Sequence, residues 1–285
     1  MAPPSGGARR PVRHHHIRSR KAPTVRVRPT TQPQWWSQLR PWKEPGSAPR
    51  ARLLVVPHSG GGPNRYLRLV GELPDDVEIL GLTLPGRERR STEPPGANLD
   101  EVLSSLATIP WPQAPTLILG HSLGATIGLH LARALGEHCV GLIASGQEPR
   151  DGAGRFSEYS SDEDVLRLLE LGGDMPSVFM TDTGWRTALL ENLRADLRLG
   201  AESAERSRGL CLDVPITVLC GREDRLIDQE ALAGWAAYSA AECEVHVIPG
   251  GHFALFDPVN QPRYVEAVER HFSGDPYPLR QPTRR

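Results

Sequence analysis

The chain has 285 residues, enough for one large α/β domain or two small ones, with 39% hydrophobic and 24% charged residues as in ordinary globular proteins. No apolar run approaches the roughly 18 residues of a membrane span and no hydrophobic signal core opens the chain, which points to a cytoplasmic protein without a membrane partner. The net charge of -1 conceals a split, since residues 1–50 carry 11 Lys and Arg against the single acid Glu44, whereas residues 51–285 carry 22 basic and 33 acidic side chains.

Residues 1–34 are rich in Pro, Arg, Gly and Thr and lack apolar periodicity, which predicts a disordered basic leader. Such an arm can bind nucleic acid or an acidic partner, or resemble a transit peptide. Its prolines oppose an amphipathic helix, so it is read as solvated, with no nucleic-acid partner expected. The triplet His14-His15-His16 has no second cluster to complete a metal site. Cys139, Cys211, Cys220 and Cys243 are far apart with no C-x-x-C, which argues against zinc and for reduced thiols. Trp35, Trp36 and Trp42, beside Arg40 and Pro41, are expected to lie against the surface of a domain spanning 35–273.

Within that domain the first clear strand is Arg52–Val56, running into Pro57-His58-Ser59-Gly60-Gly61-Gly62 and a helix through Tyr66, Leu67, Leu69 and Val70. A glycine-rich loop after a strand can cradle phosphate, but G-K-[ST] and G-x-G-x-x-G are absent here and no cofactor is implied. The same position in a serine hydrolase supplies one amide of an oxyanion hole, here Ser59. A strand over Val77–Leu84 and a helix around Leu99–Ile109 follow. The next segment, PTLILGHSLGATIGLHLARAL from Pro115 to Leu135, is a strand, a tight turn and a helix with apolar Ile127, Leu131 and Leu135. G-x-S-x-G between strand and helix is the pattern of a nucleophile elbow, with Ser122 raised above the strand end and the Leu123 amide behind it. A glycine-rich turn with a capping serine would carry the same letters.

Cys139–Ser145 is a further strand, and strands alternating with helices imply a mostly parallel sheet. Residues 150–208 break the rhythm. Ser161-Asp162-Glu163-Asp164 reads as a helix start, Gly172-Gly173 as its stop, and Phe179–Leu199 as further helical segments, together a helical lid insertion. The sheet resumes with Pro215–Cys220, ending at Gly221-Arg222-Glu223-Asp224. A helix holding Ala231, Leu232, Trp235 and Tyr238 leads to the strand Cys243–Ile248 and then Pro249-Gly250-Gly251-His252-Phe253. A helix over 262–272 closes the domain, and 274–285 reads as a flexible tail.

Ser122, Asp224 and His252 therefore follow three strands in the order that an α/β-hydrolase requires, and ends of parallel strands converge on one rim. His252 is placed as the base and Asp224 as the group that orients it, with Glu223 and Asp228 as rival acids. His130, His138 and His246 sit on a helix, just after it and inside a strand, as structural histidines do. His121 flanks the nucleophile as a pocket residue.

These blocks together resemble the type II thioesterases, the stand-alone α/β-hydrolases that accompany polyketide and nonribosomal peptide synthases. The resemblance covers about residues 35–272. It rests on Pro57-His58-Ser59-Gly60-Gly61, Pro85-Gly86-Arg87-Glu88, Gly120-His121-Ser122-Leu123-Gly124-Ala125, Leu193-Arg194-Ala195-Asp196, Gly221 to Asp224 and Gly250-Gly251-His252-Phe253. It implies removal of acyl groups from the phosphopantetheine arm of an acyl- or peptidyl-carrier protein, with the triad on Ser122, Asp224 and His252 and the lid before Asp224. A chain-releasing thioesterase or a small-molecule esterase of the same fold is the alternative. The chain departs from the family at Ser59, where alanine is common, and after Asp196, where the usual aromatic is missing. A monomer is the default expectation.

Overall fold

The computed structural model describes residues 34–40, 48–110, 113–149, 161–173 and 182–273. The leader expected over 1–34, apart from Gln34, lies outside these residues, as do Trp42 and the tail from 274.

Seven strands of the described residues form one sheet: β1 Trp36–Gln38, β2 Ala51–Val56, β3 Val77–Leu82, β4 Thr116–His121, β5 Cys139–Ser145, β6 Ile216–Gly221 and β7 Cys243–Ile248. Their order is β1-β3-β2-β4-β5-β6-β7, parallel throughout except for β1, which pairs antiparallel with β3. The chain leaves β2 toward β3 on one side and β4 lies on the other, so the strand order reverses at β2 and β4. The carboxyl ends of those strands therefore frame a crevice. The Pro57–Gly62 loop and Ser122 emerge there.

The central strands are apolar on both sides because both faces are covered. Leu54, Val56, Leu80, Ile118 and Leu142 belong to the core shared with α2 (Leu99–Ser104) and α3 (Leu123–Leu135). Leu53, Val55, Ile79, Leu117 and Ile143 belong to the opposite core, with Tyr66, Tyr264 and Val268. Tyr264 and Val268 come from α6 (Gln261–Ser273) and Tyr66 from the turn before α1 (Leu67–Val70).

Three segments differ from the sequence expectation. The tryptophan stretch is not merely laid on the surface: Trp36 starts an edge strand, is buried, and donates its indole N–H to Ser105 Oγ at 3.0 Å. The segment Glu230–Tyr238 is a 3-10 helix. Its buried residues, Leu232, Trp235 and Tyr238, are spaced three apart, the period at which 3-10 side chains align. The early helix is a 3-10 turn, Pro63–Tyr66, followed by the single turn of α1.

The described part of the insertion between β5 and β6 is helical. α4 (Asp162–Gly172) begins at a reciprocal cap between Ser161 and Asp164 and ends at left-handed Gly173. The segments expected around Phe179–Leu199 are one 24-residue helix, α5 (Thr183–Arg206), capped by Asp182; Phe179 itself lies outside the described residues. α5 packs on α3, where the buried His130 Nε2 donates to the Ser203 carbonyl at 2.8 Å.

α3 starts hard against β2, because a Cβ at Gly124 would overlap the carbonyl oxygens of Val56 and Pro57. Gly124→Ala is expected to cost about 1–3 kcal/mol of stability through this overpacking, read as a lower urea midpoint at unchanged m-value.

Burial also holds the His130 imidazole below its ordinary 6.5, and it pushes His271, beside Arg270 and bonded to Thr217 Oγ1, down to about 4. Between pH 6.5 and about 4 the unfolded chain thus binds more protons at position 271 than the folded one, so stability must fall on acidification. A melting temperature that declines from pH 7 to 5, with a shallower decline in His271→Gln, is expected. A flat profile would contradict this account.

Candidate active site

Ser122 sits at the point where β4 turns into α3, with φ 53° and ψ -121°, a conformation that an L-residue adopts at a cost of about 1–3 kcal/mol. Its amide is held by the Ser145 carbonyl of neighbouring β5 at 2.7 Å, and its own carbonyl accepts from Ala125 N at 2.9 Å. Glycine at 120 and 124 permits the turn, since a Cβ at Gly120 would collide with the Gly124 carbonyl. The expected elbow is thus present as geometry, with backbone strain located at the candidate nucleophile.

Asp224 follows β6, and His252 follows β7. The His252 Nδ1 lies 2.8 Å from Asp224 Oδ2, and both side chains are almost fully shielded from solvent. A carboxylate only accepts, so Nδ1 carries the hydrogen and Nε2 is left as the acceptor. Asp224 Oδ1 accepts the Leu226 amide at 2.9 Å, which fixes the carboxylate from its other side. The rival acids do other work. Glu223 is exposed and accepts the Gly250 amide at 2.7 Å, while exposed Asp228 accepts the Glu230 amide at 3.0 Å.

Ser122 and His252 line one cavity of about 210 Å³ together with Ser59, His58 and Arg65. Its remaining walls are apolar: Leu168 and Leu169 from α4, Trp185, Leu189 and Leu193 from α5, and Leu226 and Phe253 beside the acid and the histidine. Among the described residues the amides of Ser59 and Leu123 have no acceptor, so two backbone donors near Ser122 are left for a ligand. No group of three or more His, Cys, Asp or Glu that could hold a metal occurs among the described residues.

The sequence did not reveal that three imidazoles meet here. The His121 ring centroid lies 5.0 Å from that of His252 and 5.6 Å from that of His58. His121 Nδ1 is paired with Ser145 Oγ at 3.1 Å, and its Nε2 is buried without a partner among the described residues. Burial holds both His58 and His121 well below the ordinary value of 6.5, and the nearby Arg65 adds to it. Both rings stay neutral at physiological pH. Arg65 stacks its guanidinium over Phe253 at 4.4 Å and Phe256 at 4.9 Å.

The sequence also did not show that three of its motif blocks are one network. The guanidinium of Arg87 makes paired contacts of 2.7 Å with both carboxylate oxygens of Asp196 on α5. It also donates to the Gly61 carbonyl at 3.1 Å, and Asp196 Oδ2 accepts the Gly60 amide at 2.7 Å. The spacing of these residues along the chain carries no signal that they touch.

No helix among the described residues is long and apolar enough to cross a membrane. A family model described as "Thioesterase domain" matches residues 51–272. The chain is 29% identical over 232 residues to the gramicidin S biosynthesis protein GrsT of Aneurinibacillus migulanus, covering 78% of this chain and 90% of GrsT. It is 30% identical over 221 residues to the thioesterase PikA5 of Streptomyces venezuelae, covering 75% of this chain and 78% of PikA5. Among solved structures it is similar to YbtT, a type II thioesterase from the yersiniabactin NRPS/PKS pathway, with a TM-score of 0.69 at 25% identity over 84% of this chain and 98% of YbtT. With the family model spanning most of the sequence and an α/β-hydrolase sheet beneath it, the chain belongs to the thioesterase domain family and is a thioester hydrolase.

Proposed function

We propose that this thioesterase clears acyl groups from the phosphopantetheine arms of acyl- or peptidyl-carrier proteins in polyketide or nonribosomal peptide assembly, using Ser122, His252 and Asp224 as a triad. The observation that carries the reading is the pairing of two features. A strained serine shares a cavity with a histidine, and that histidine is locked by a buried carboxylate into the tautomer a general base needs.

In the reaction, Ser122 Oγ attacks the thioester carbonyl as its proton passes to His252 Nε2, giving a tetrahedral intermediate. Its oxyanion is received by the amides of Leu123 and Ser59, where one lost donor typically costs about 3 kcal/mol of barrier. Collapse breaks the C–S bond, and the leaving sulfur takes the proton from His252 to become the free thiol of the arm. Water then attacks the acyl-enzyme with His252 again as base, releasing a carboxylic acid and restoring Ser122. A thiol with a pKa near ~8.5 leaves with little acid assistance, which suits a site offering one base and an apolar wall. Asp224 stabilises the imidazolium in both halves.

The editing role is supported by the size and chemistry of the cavity. A space of about 210 Å³ walled by leucines and aromatics suits a short or medium apolar acyl group better than a finished product chain. The same reading has the protein act as a cytoplasmic monomer that meets the carrier protein at the cavity mouth. The description of YbtT as a type II thioesterase of an NRPS/PKS pathway points in the same direction, as does the gramicidin S biosynthesis named for GrsT.

The test is a panel of carrier proteins loaded with acetyl, propionyl, longer acyl and aminoacyl groups, beside p-nitrophenyl esters of the same acids. Release from the carrier thioesters is expected to be faster. Ser122→Ala and Asp224→Asn should lower kcat by roughly 10³-fold or more, whereas Glu223→Gln and Asp228→Asn should stay within about threefold. Full turnover by Ser122→Ala would refute the mechanism. Preference for soluble esters would point to an esterase, and preference for full-length product chains to a releasing enzyme.

A further inference from the structure

We propose that Asp196, on the helix that roofs the cavity, is a positioning residue that aims the Ser59 amide at the reacting carbonyl. The inference rests on the reading of Ser59 as an oxyanion donor given above. The Ser59 N–H lies in the same rigid peptide plane as the His58 carbonyl, and a trans plane points the two in opposite directions. That carbonyl accepts the Gly61 amide at 3.0 Å, so wherever Gly61 is held, the Ser59 N–H is aimed. Gly61 is held through its own carbonyl by Arg87 at 3.1 Å, and Arg87 is fixed by both oxygens of Asp196. The peptide plane on the other side of Ser59 is caught directly, because the Gly60 amide donates to Asp196 Oδ2 at 2.7 Å. The loop bends at Gly60 with φ +74°, where a side chain would be strained and would press on Leu193 of α5. One carboxylate therefore secures both planes flanking the donor, and its side chain, with that of Arg87, is almost fully buried.

α5 has a second task, since Trp185, Leu189 and Leu193 on the same helix wall the cavity. The helix that contacts the acyl group thus also carries the group that sets the oxyanion donor.

A second buried arginine–carboxylate pair supplies the control. Arg52 Nε and Glu78 Oε2 meet at 2.7 Å between the starts of β2 and β3, at the end of the sheet opposite the Pro57–Gly62 loop. The experiment compares Asp196→Asn, Asp196→Glu and Glu78→Gln in the full chain. It measures kcat and KM on an acyl-carrier thioester, the inhibition constant of an alkyl trifluoromethyl ketone, and the melting temperature. Such a ketone forms a tetrahedral adduct with the serine and tests the oxyanion hole directly. Asp196→Asn is expected to lower kcat by about 10- to 100-fold with KM within about threefold, and to weaken the ketone by the same factor as kcat. Asp196→Glu should recover part of both. Glu78→Gln should lower the melting temperature while leaving kcat and the inhibition constant within about twofold.

If Asp196→Asn does not fold, the double variant Arg87→Met/Asp196→Leu removes both charges and still leaves the Gly60 amide without its acceptor. It should fold with a melting temperature below the wild type's, because the Gly60 amide and Gly61 carbonyl lose their partners, and show the same parallel loss. Wild-type kcat and ketone affinity in either variant would overturn the proposal, as would a loss of kcat with ketone affinity unchanged. Full turnover in Ser122→Ala would instead overturn the proposed mechanism, whatever the result at Asp196.

Discussion

Arg87 and Asp196 are 109 residues apart in the chain and meet through two 2.7 Å contacts in a space almost closed to water. Taking both charges out of water costs several kcal/mol each, and the two paired contacts offset this, although Arg87 Nε is buried without a partner among the described residues. The guanidinium also serves the Gly61 carbonyl and Asn192 Oδ1, and the carboxylate also serves the Gly60 amide. The Asn192 amide in turn donates to the Gly86 carbonyl at 3.0 Å, tying the turn that bears Arg87 to α5. The β2 loop, the turn after β3 and the roofing helix are thereby fixed by one polar cluster. Without it the roof over the crevice between β2 and β4 would be placed only by the packing of α5 on α3, away from the loop.

The electrostatics of the crevice follow from what is buried with it. The His121 ring lies within 6 Å of both His58 and His252, yet among the described residues only His252 of the three has a carboxylate partner. His58 and His121 are kept neutral by burial and by Arg65, so they contribute shape and polarity without charge. Arg65, laid across Phe253 and Phe256, places a fixed positive charge at the cavity wall beside the rings. The apolar remainder of the wall lowers the local dielectric, which strengthens each of these effects.

Much of the site was legible because the residues that build it are locally encoded. Gly120 and Gly124 are glycine for a reason a single turn supplies, and the strand and helix around Ser122 show their own periodicities. Asp224 and His252 could be read because each stands three or four positions after a strand, and parallel strands bring such positions together. The choice of Asp224 over Glu223 and Asp228 was not local. It was decided by which carboxylate the fold carries inward, and Glu223 and Asp228 are instead spent on the amides of Gly250 and Glu230. The burial of Trp36 is hidden from the sequence for a similar reason. A three-residue edge strand has too short a pattern to signal itself, and its burial depends on β3 and Ser105.

The sequence by itself determined the parallel sheet, the strained turn at Ser122 and the candidates that follow β6 and β7, because hydrophobic period and turn chemistry act over a few residues. Only the tertiary structure decided which acid reaches His252, which histidines lose their charge, and that Asp196 reaches across to the loop of Gly60. Those outcomes depend on burial and on contacts between residues 28 to 136 positions apart, whose energies are set by the space they share and not by their neighbours in the chain.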